Sequence, residues 1–340
     1  MLNIKKPAHS SIVPEGTTWD ELTNFQLSVL SKHIDLNDSI KVKKKLVEPR
    51  SEVTGYYKYQ GESDYFIKIV SKKDNKVQFM AEDISAWLLN SGVSVGQIKN
   101  GYPKEVEEIN CWIYIYPYLK HNFIFRNENE IYFIGKEVGN MHKMMCKYPR
   151  TDDVFIDGNK KNNLLIHQFE NIKKYKVSSL PEEATWLIKN FSKKEYNLIN
   201  KNAQMIHGDL NMGNVIFTEN NLRPFLIDFE DATTSWMNPI YDLAFLIQRF
   251  VLADPSGREI YIPLIKGYKE SYSINIDAGE LYSMIKIISI RSLLILSTLN
   301  SIDVFKYKDE INKFIDLYKS ASINYVDICK IEKFLIKNSL

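Results

Sequence analysis

Residues 206–216 of this chain read IHGDLNMGNVI, and residues 225–230 read FLIDFE. They place a carboxylate at Asp209, an amide at Asn214 and a second carboxylate at Asp228, each beside an apolar run typical of a short strand. Phosphoryl transfer from a nucleotide needs such a set, because one carboxylate receives a hydroxyl proton while an amide oxygen and another carboxylate hold Mg²⁺ against the phosphates. A single aspartate of this kind is most often a turn residue, but the three together favour the chemistry.

The predicted elements on either side of this segment form two groups. The first contains a helix that begins at a capping box of Thr18 and Glu21, strands over 45–49, 53–59 and 64–70, a helix over 75–90 and a strand over 111–116. From about residue 131 the pattern is mostly helical. Strands followed by helices predict an α+β, bilobal chain. We expect a β-rich N-lobe over residues 1–117 and a mostly helical C-lobe over 118–340, the latter with the catalytic loop, the metal site and an acceptor pocket.

Composition argues against several classes of protein. The formal net charge of +2 gives no field that would attract nucleic acid or an anionic membrane. The three cysteines are widely spaced, which suits a reduced, cytoplasmic protein. The most apolar helical segment, 284–299, carries Lys286 and Arg291, and we expect a buried helix there instead of a membrane span. The sequence leaves the oligomeric state open.

Lys68 and Glu82 are candidates for positioning phosphates. Lys68 lies within the apolar run YFIKIV, and Glu82 lies fourteen residues later on an amphipathic helix. A strand lysine paired with a glutamate of the next helix positions nucleotide phosphates in kinases. Taken alone, Lys68 would more often be an exposed strand residue and Glu82 a solvated carboxylate, and the adjacent Asp83 competes with Glu82 for the role.

The motifs together resemble the aminoglycoside phosphotransferase and choline kinase superfamily, the small-molecule relatives of protein kinases. Families there show H-G-D-L-x-x-x-N followed by I-D-F/W-E, which stand here as HGDL at 207–210 with Asn214, then IDFE at 227–230. The segment PIYDLA at 239–244 is similar to a downstream D-P-x-x-D-L-A motif, with Asn238 in place of its first acid. Residues 134–142 are similar to the helix that packs under the active site in that superfamily.

The resemblance implies a protein-kinase-like fold and a role for each matched residue. Asp209 would be the catalytic base, and Asn214 and Asp228 would bind Mg²⁺. Lys68 with Glu82 would position the phosphates of ATP or GTP. The backbone around Tyr116 and Tyr118 would receive the base, and Ser51 would contact phosphates in a covering loop that has a single glycine, Gly55. Asp242 would brace the catalytic loop, which His207 would anchor through hydrogen bonds to the backbone.

The acceptor is predicted to be a small molecule with a hydroxyl group. Protein kinases carry arginine where this chain has Gly208, and only thirteen residues separate Asp228 from Asp242, which leaves no room for a regulated activation loop. An antibiotic or a related metabolite is one reading; a metabolic kinase for choline, homoserine or a sugar, and a kinase-fold module without turnover, are the alternatives. Glu230 and Asp231 could bind metal or substrate or be solvated, and Arg291 could bind an anionic acceptor or form a buried salt bridge.

Overall fold

The computed structural model of the protein describes residues 20–33, 43–45, 53–59, 63–119, 127–175, 180–218, 223–252, 259–298 and 307–337. The strands are β1 Asp20–Glu21, β2 Lys43–Lys45, β3 Gly55–Tyr59, β4 Tyr65–Ser71, β5 Lys104–Val106, β6 Cys111–Pro117, β7 Gln204–Met205, β8 Val215–Ile216, β9 Phe225–Leu226 and β10 Trp236–Met237. The helices are α1 Asn24–His33, α2 Asn75–Asn90, α3 Glu128–Met145, α4 Thr151–Tyr175, α5 Glu182–Asn190, α6 Lys193–Tyr196, α7 Ile240–Leu246, α8 Tyr261–Ser271, α9 Glu280–Thr298, α10 Lys308–Ile323 and α11 Tyr325–Lys337.

The chain divides into two units. Met1–Ile124 with Gly213–Glu230 form one, here called the sheet unit, and Phe125–Met212 with Asp231–Leu340 form the other, the helical unit. The division differs from the predicted lobes because Gly213–Glu230 joins the sheet unit. Hydrogen bonds explain this: the amide of Leu226 donates to the carbonyl of Ser94 at 2.9 Å, and the amide of Gly96 donates to the carbonyl of Leu226 at 3.1 Å.

The sheet unit is built on an antiparallel sheet with the strand order β1-β2-β3-β4-β6-β5. Alternate residues of the central strands, among them Ile67, Ile69, Ile113 and Ile115, are buried in one apolar cluster with Leu30 of α1. Burial of each of these side chains contributes about 1.5–3 kcal/mol. Because side chains of a strand alternate between faces, Lys68 lies on the face opposite to Ile67 and Ile69.

The helical unit depends on a close crossing of α3 and α8. A Cβ atom on Gly135 of α3 would lie 1.9 Å from the carbonyl oxygen of Leu264, and one on Gly267 of α8 would lie 2.0 Å from that of Tyr132. Both positions therefore require glycine, since the two helix backbones occupy the space that a side chain would fill. The predicted packing helix over 134–142 lies within α3.

Helix α9 is long and apolar enough to cross a bilayer by length and composition, but 72% of its most apolar window is buried in the protein. Core helices of globular units have this character. The predicted buried helix over 284–299 is confirmed as far as Thr298.

The first helix begins later than predicted. Thr23 and Gln26 form a reciprocal capping box, in which the amide of Gln26 donates to Thr23 Oγ1 at 3.2 Å and the amide of Thr23 donates to Gln26 Oε1 at 3.0 Å. The predicted box is wrong, because Glu21 belongs to β1, and Thr18 lies outside the described residues. The strands predicted over 53–59, 64–70 and 111–116 are confirmed as β3, β4 and β6, and the helix over 75–90 as α2. The strand predicted over 45–49 is described only at Lys45.

Candidate active site

A cavity of about 360 Å³ lies within the sheet unit, bounded by β4, α2, β6 and the β8–β9 hairpin. Most of its wall is apolar, with Phe66, Ala81, Val95, Ile216, Phe225 and Ile227 among the lining residues. The polar side chains that line it include five of the predicted site residues: Lys68, Glu82, Tyr116, Tyr118 and Asp228. An apolar cavity with a few polar groups in one place is typical of a small-molecule site.

Lys68 is buried in this cavity with its charge balanced by acids. Its ammonium forms an ion pair with the carboxylate of Glu230, and it lies 5.3 Å from the ring centre of Tyr56 on the neighbouring strand. Burial lowers the pKa of Lys68, and the charges of Asp228 and Glu82 act against that shift. A sheltered ammonium group of this kind is suited to a phosphate, which would bring the opposite charge into the cavity.

Glu82 does not pair directly with Lys68, so the predicted contact is corrected. The carboxylate of Glu82 accepts hydrogen bonds from the hydroxyl of Tyr116 and from Gln78 Nε2, the latter at 2.6 Å. Burial raises the pKa of Glu82, while these hydrogen bonds and the charge of Lys68 lower it. Glu82 therefore acts on Lys68 through its charge, and Glu230 supplies the contact.

Asn214 and Asp228 lie at the same end of the β8–β9 hairpin. Val215 pairs with Leu226, and the amide of Ile227, next to Asp228, donates to the carbonyl of Asn214 at 3.1 Å. Asp228 has a φ of 67°, a left-handed conformation that aspartate adopts more readily than most residues and that is common at functional sites. One carboxylate and one amide oxygen suit Mg²⁺, which completes its shell with phosphate oxygens and water, so these residues fit the ion.

Asp209 belongs to the helical unit, in a loop held by local hydrogen bonds. The amide of Asp209 donates to His207 Nδ1 at 3.3 Å, and Asn211 Nδ2 donates to Asp209 Oδ2 at 2.9 Å. Gly208 has a φ of 84°, and a Cβ atom there would lie 2.2 Å from Ser235 Oγ. The glycine of the motif is therefore required both by backbone conformation and by space.

Asp242 of α7 holds this loop through hydrogen bonds to its backbone. Its two carboxylate oxygens accept hydrogen bonds from the backbone amides of His207 at 2.8 Å and Gly208 at 2.9 Å. His142 of α3 lies 2.9 Å from Asp242 Oδ2 through Nε2 and 2.8 Å from the Tyr268 hydroxyl through Nδ1. The bracing role predicted for Asp242 is visible in the bonds from His207 and Gly208, and the anchoring role predicted for His207 in the bond that its Nδ1 accepts from the amide of Asp209.

Three residues whose roles the sequence left open now have partners. Glu230 pairs with Lys68. Asp231 lies 3.1 Å from Lys161 Nζ; burial acts to raise its pKa, and the charge and hydrogen bond of Lys161 outweigh that effect and lower it. Arg291 is buried and donates to Asn162 Oδ1 at 2.9 Å, without an ion pair to any residue that the structure describes.

Ser51 and Tyr118 are the remaining predicted positions. Ser51 lies outside the described residues. The amide of Tyr118 donates to the carbonyl of Asp64 at 2.9 Å, while Lys58 Nζ lies 4.1 Å from the centre of the Tyr118 ring. Tyr56 and Gln78 were not predicted. The alternation of β3 could have indicated Tyr56, and Gln78 lies one helical turn before Glu82 on α2.

The chain belongs to the phosphotransferase enzyme family, whose profile matches residues 50–281. It is a small-molecule kinase of that family. No curated protein sequence is significantly similar to it.

Several solved structures share the fold, which confirms the predicted α+β, kinase-like class. Spectinomycin phosphotransferase APH(9)-Ia, in complex with ADP and spectinomycin, is 15% identical with a TM-score of 0.57, and the match covers 88% of this chain and 98% of that one. The GDP complex of aminoglycoside 2'-phosphotransferase-IIIa gives the same identity, TM-score and coverage. A microcompartment-associated aminopropanol kinase is 13% identical with a TM-score of 0.50, and the match covers 90% of this chain and 98% of that one.

Proposed function

We propose that this protein transfers the γ-phosphoryl group of ATP, in the presence of Mg²⁺, to a hydroxyl group of a small molecule. The observation that carries the proposal is the cavity of the sheet unit, whose apolar wall surrounds buried Lys68 and the carboxylate of Asp228. Such a cavity can take the planar ring of a nucleotide base and an anionic phosphate chain together. GTP is the alternative donor, since the related solved structures include both ADP and GDP complexes.

Each residue has a defined part in the proposed reaction. The acceptor oxygen forms a bond to the γ-phosphorus, the bond from that phosphorus to the bridging oxygen breaks, and ADP leaves. Asp209 receives the proton of the acceptor hydroxyl. Lys68 contacts the phosphates after they displace Glu230 from it. Asn214 and Asp228 would hold Mg²⁺, which when bound neutralises charge on the phosphates.

The acceptor is a hydroxylated small molecule, either an antibiotic or a metabolite. Proteins of the same fold include a kinase of an antibiotic, spectinomycin, and a kinase of a metabolite, aminopropanol. A cytoplasmic location accompanies this proposal, because its three cysteines are free thiols and the reaction consumes a nucleoside triphosphate.

Release of ADP from ATP, with and without a panel of hydroxylated acceptors, tests the proposed function. Replacing Asp209 with alanine should lower turnover by about 10²–10⁴-fold, the usual contribution of a general base. Replacing Asp228 with alanine should remove the effect of Mg²⁺ on nucleotide affinity, measured by calorimetric titration of ATP with and without the ion.

Asp153→Ala is the matched control, because Asp153 lies on the surface of α4 in an exposed ion pair with Arg150. This variant should keep full activity. Wild-type turnover in the Asp209 variant would remove the base assignment. Tight Mg·ATP binding without ADP release from any acceptor would instead indicate a binding module without turnover.

A further inference from the structure

Two sheltered cations in the helical unit, Arg249 and Lys313, lie within range of the charge of Asp209. Helix α7 carries Asp242, which binds the catalytic loop, and continues into a π-helical turn at Ile247–Val251. Arg249 lies in that turn, with its guanidinium carbon 5.7 Å from the ring centre of Phe245. π-Helical turns are rare and are often found at functional sites. The guanidinium of Arg249 is thus carried by the element that holds the catalytic loop.

Within the described part of the chain, Arg249 has no counter-ion in direct contact. Its Nε atom is buried without a hydrogen-bond partner, and no ion pair joins Arg249 to any residue within the described ranges. A guanidinium group has five N–H donors in a planar fork, and leaving a buried donor unsatisfied is unfavourable. The donor is therefore available to a ligand.

Lys313 of α10 is the second cation. Its ammonium lies 2.9 Å from Glu310 Oε1, and the two side chains are only 16% and 21% exposed. Burial lowers the pKa of both Arg249 and Lys313, and the charges of Asp209 and Glu310 act against the shift in each case. The same two acids therefore influence both cations, so the four groups form one cluster, here called the acceptor cluster.

The charges of the acceptor cluster favour one class of acceptor. Glu310 compensates Lys313 by direct contact, whereas Asp209 acts on Arg249 only through its charge, without an ion pair. An acceptor whose hydroxyl reaches Asp209 comes within the range over which the charge of Arg249 acts. An acceptor with ammonium groups would place like charges together in a sheltered site, and a carboxylate or phosphate would complete the arginine fork.

We propose that the acceptor carries a carboxylate or phosphate group, which Arg249 binds with Lys313 beside it while the acceptor hydroxyl contacts Asp209. This inference rests on the proposed kinase function and narrows its substrate class to anionic hydroxyl compounds. Arg249 is then a specificity residue, and a polycationic aminoglycoside is a poor acceptor.

A matched series of acceptors tests the charge preference directly. Glucose, glucosamine, gluconate and glucose 6-phosphate present hydroxyl groups with neutral, cationic, carboxylate and phosphate substituents, and glycerol, glycerate and glycerol phosphate form a shorter series. We expect kcat/KM for an anionic member to exceed that of its neutral counterpart by about 10–100-fold. This factor corresponds to the free energy that a hydrogen bond to a charged group contributes. The carboxylate and phosphate arms distinguish the two sources of the anion.

Variants of Arg249 test whether this side chain is the source of the preference for anionic acceptors. Arg249→Gln should raise KM for the anionic acceptor by about 10-fold or more and leave KM for ATP unchanged, while Arg249→Lys should retain part of the preference because it keeps the charge. Arg150→Gln, a change of the same kind at an exposed turn position directly before α4, should have no effect. Titration with ADP verifies that each variant is folded, and the wild-type acceptor series decides the question even if Arg249→Gln does not fold.

Each outcome bears on a different claim. Preference for glucose or glucosamine, or unchanged acceptor kinetics in folded Arg249→Gln, would overturn the anionic acceptor while leaving the kinase function intact. Absence of ADP release with every acceptor would reject the kinase function, and the anionic acceptor with it.

Discussion

The carboxylate of Asp242 holds the catalytic loop through two backbone amides, and Asp242→Asn tests how much that support contributes. The oxygens accept from His207 at 2.8 Å and from Gly208 at 2.9 Å, and the side chain is fully buried. Asparagine has one acceptor oxygen, so its NH₂ group would face one of the two amides. Water cannot readily replace the lost partner at a buried position.

The expected loss follows from these two bonds. A hydrogen bond to a charged group contributes about 1.5–3 kcal/mol, and an unsatisfied buried donor costs about 1–3 kcal/mol. One amide loses its acceptor and the other loses a charged one, so we expect the loop to be destabilised by about 3 kcal/mol. Since 1.4 kcal/mol corresponds to a factor of ten, the loop should open about 100 times more often.

Hydrogen exchange followed by mass spectrometry measures this opening. A peptide over residues 203–212 should exchange about 100-fold faster in Asp242→Asn than in wild type, and turnover should fall with it. Asp153→Asn, on the exposed surface of α4, should leave the exchange unchanged. Exchange in Asp242→Asn within threefold of wild type would show that the carboxylate does not hold the loop.

Three further predictions follow from the site. Gly208→Ala should destabilise the protein by about 1–3 kcal/mol in urea unfolding because of its positive φ and its contact with Ser235, and adding Ser235→Gly should recover part of the loss; no recovery would contradict the steric account. Glu230→Gln should increase affinity for ATP in calorimetric titration, because the phosphates no longer compete with Glu230 for Lys68, and weaker binding would be evidence against the competition. Burial raises the pKa of Glu82, so the folded state holds its proton more tightly than the unfolded state, and the contribution of Glu82 to stability should fall as pH rises from 4.5 through the raised pKa. Glu82→Gln has no such proton, so the unfolding free energy of this variant minus that of wild type should increase over the same pH range. A difference that does not change with pH would contradict the raised pKa of Glu82.

The spacing of the motif indicated most of the candidate site residues. Asp209, Asn214 and Asp228 could be proposed from sequence because the features that single them out are short-range, a tight loop and the ends of two short strands. Lys68 could be placed by strand alternation and lines the cavity as expected. Helix α2 and strands β3, β4 and β6 were equally accessible, since their apolar periodicity is local.

Contacts between distant segments could not be predicted from local sequence patterns. The ion pair of Lys68 with Glu230 joins residues 162 positions apart, and no local pattern favours Glu230 over Glu82. The assignment of Gly213–Glu230 to the sheet unit depends on hydrogen bonds with Ser94 and Gly96, which a chain-order reading of strands and helices does not indicate. Arg249 was also missed, because a π-helical turn has no distinct sequence signal.

ADP release by wild type and by Asp209→Asn, at saturating Mg·ATP and with an acceptor that the wild type uses, is the most direct test of the kinase assignment. Asparagine keeps the size of the side chain and cannot receive a proton, so we expect a fall in kcat of about 10²-fold or more with little change in ATP affinity. Equal kcat in the two proteins would contradict it.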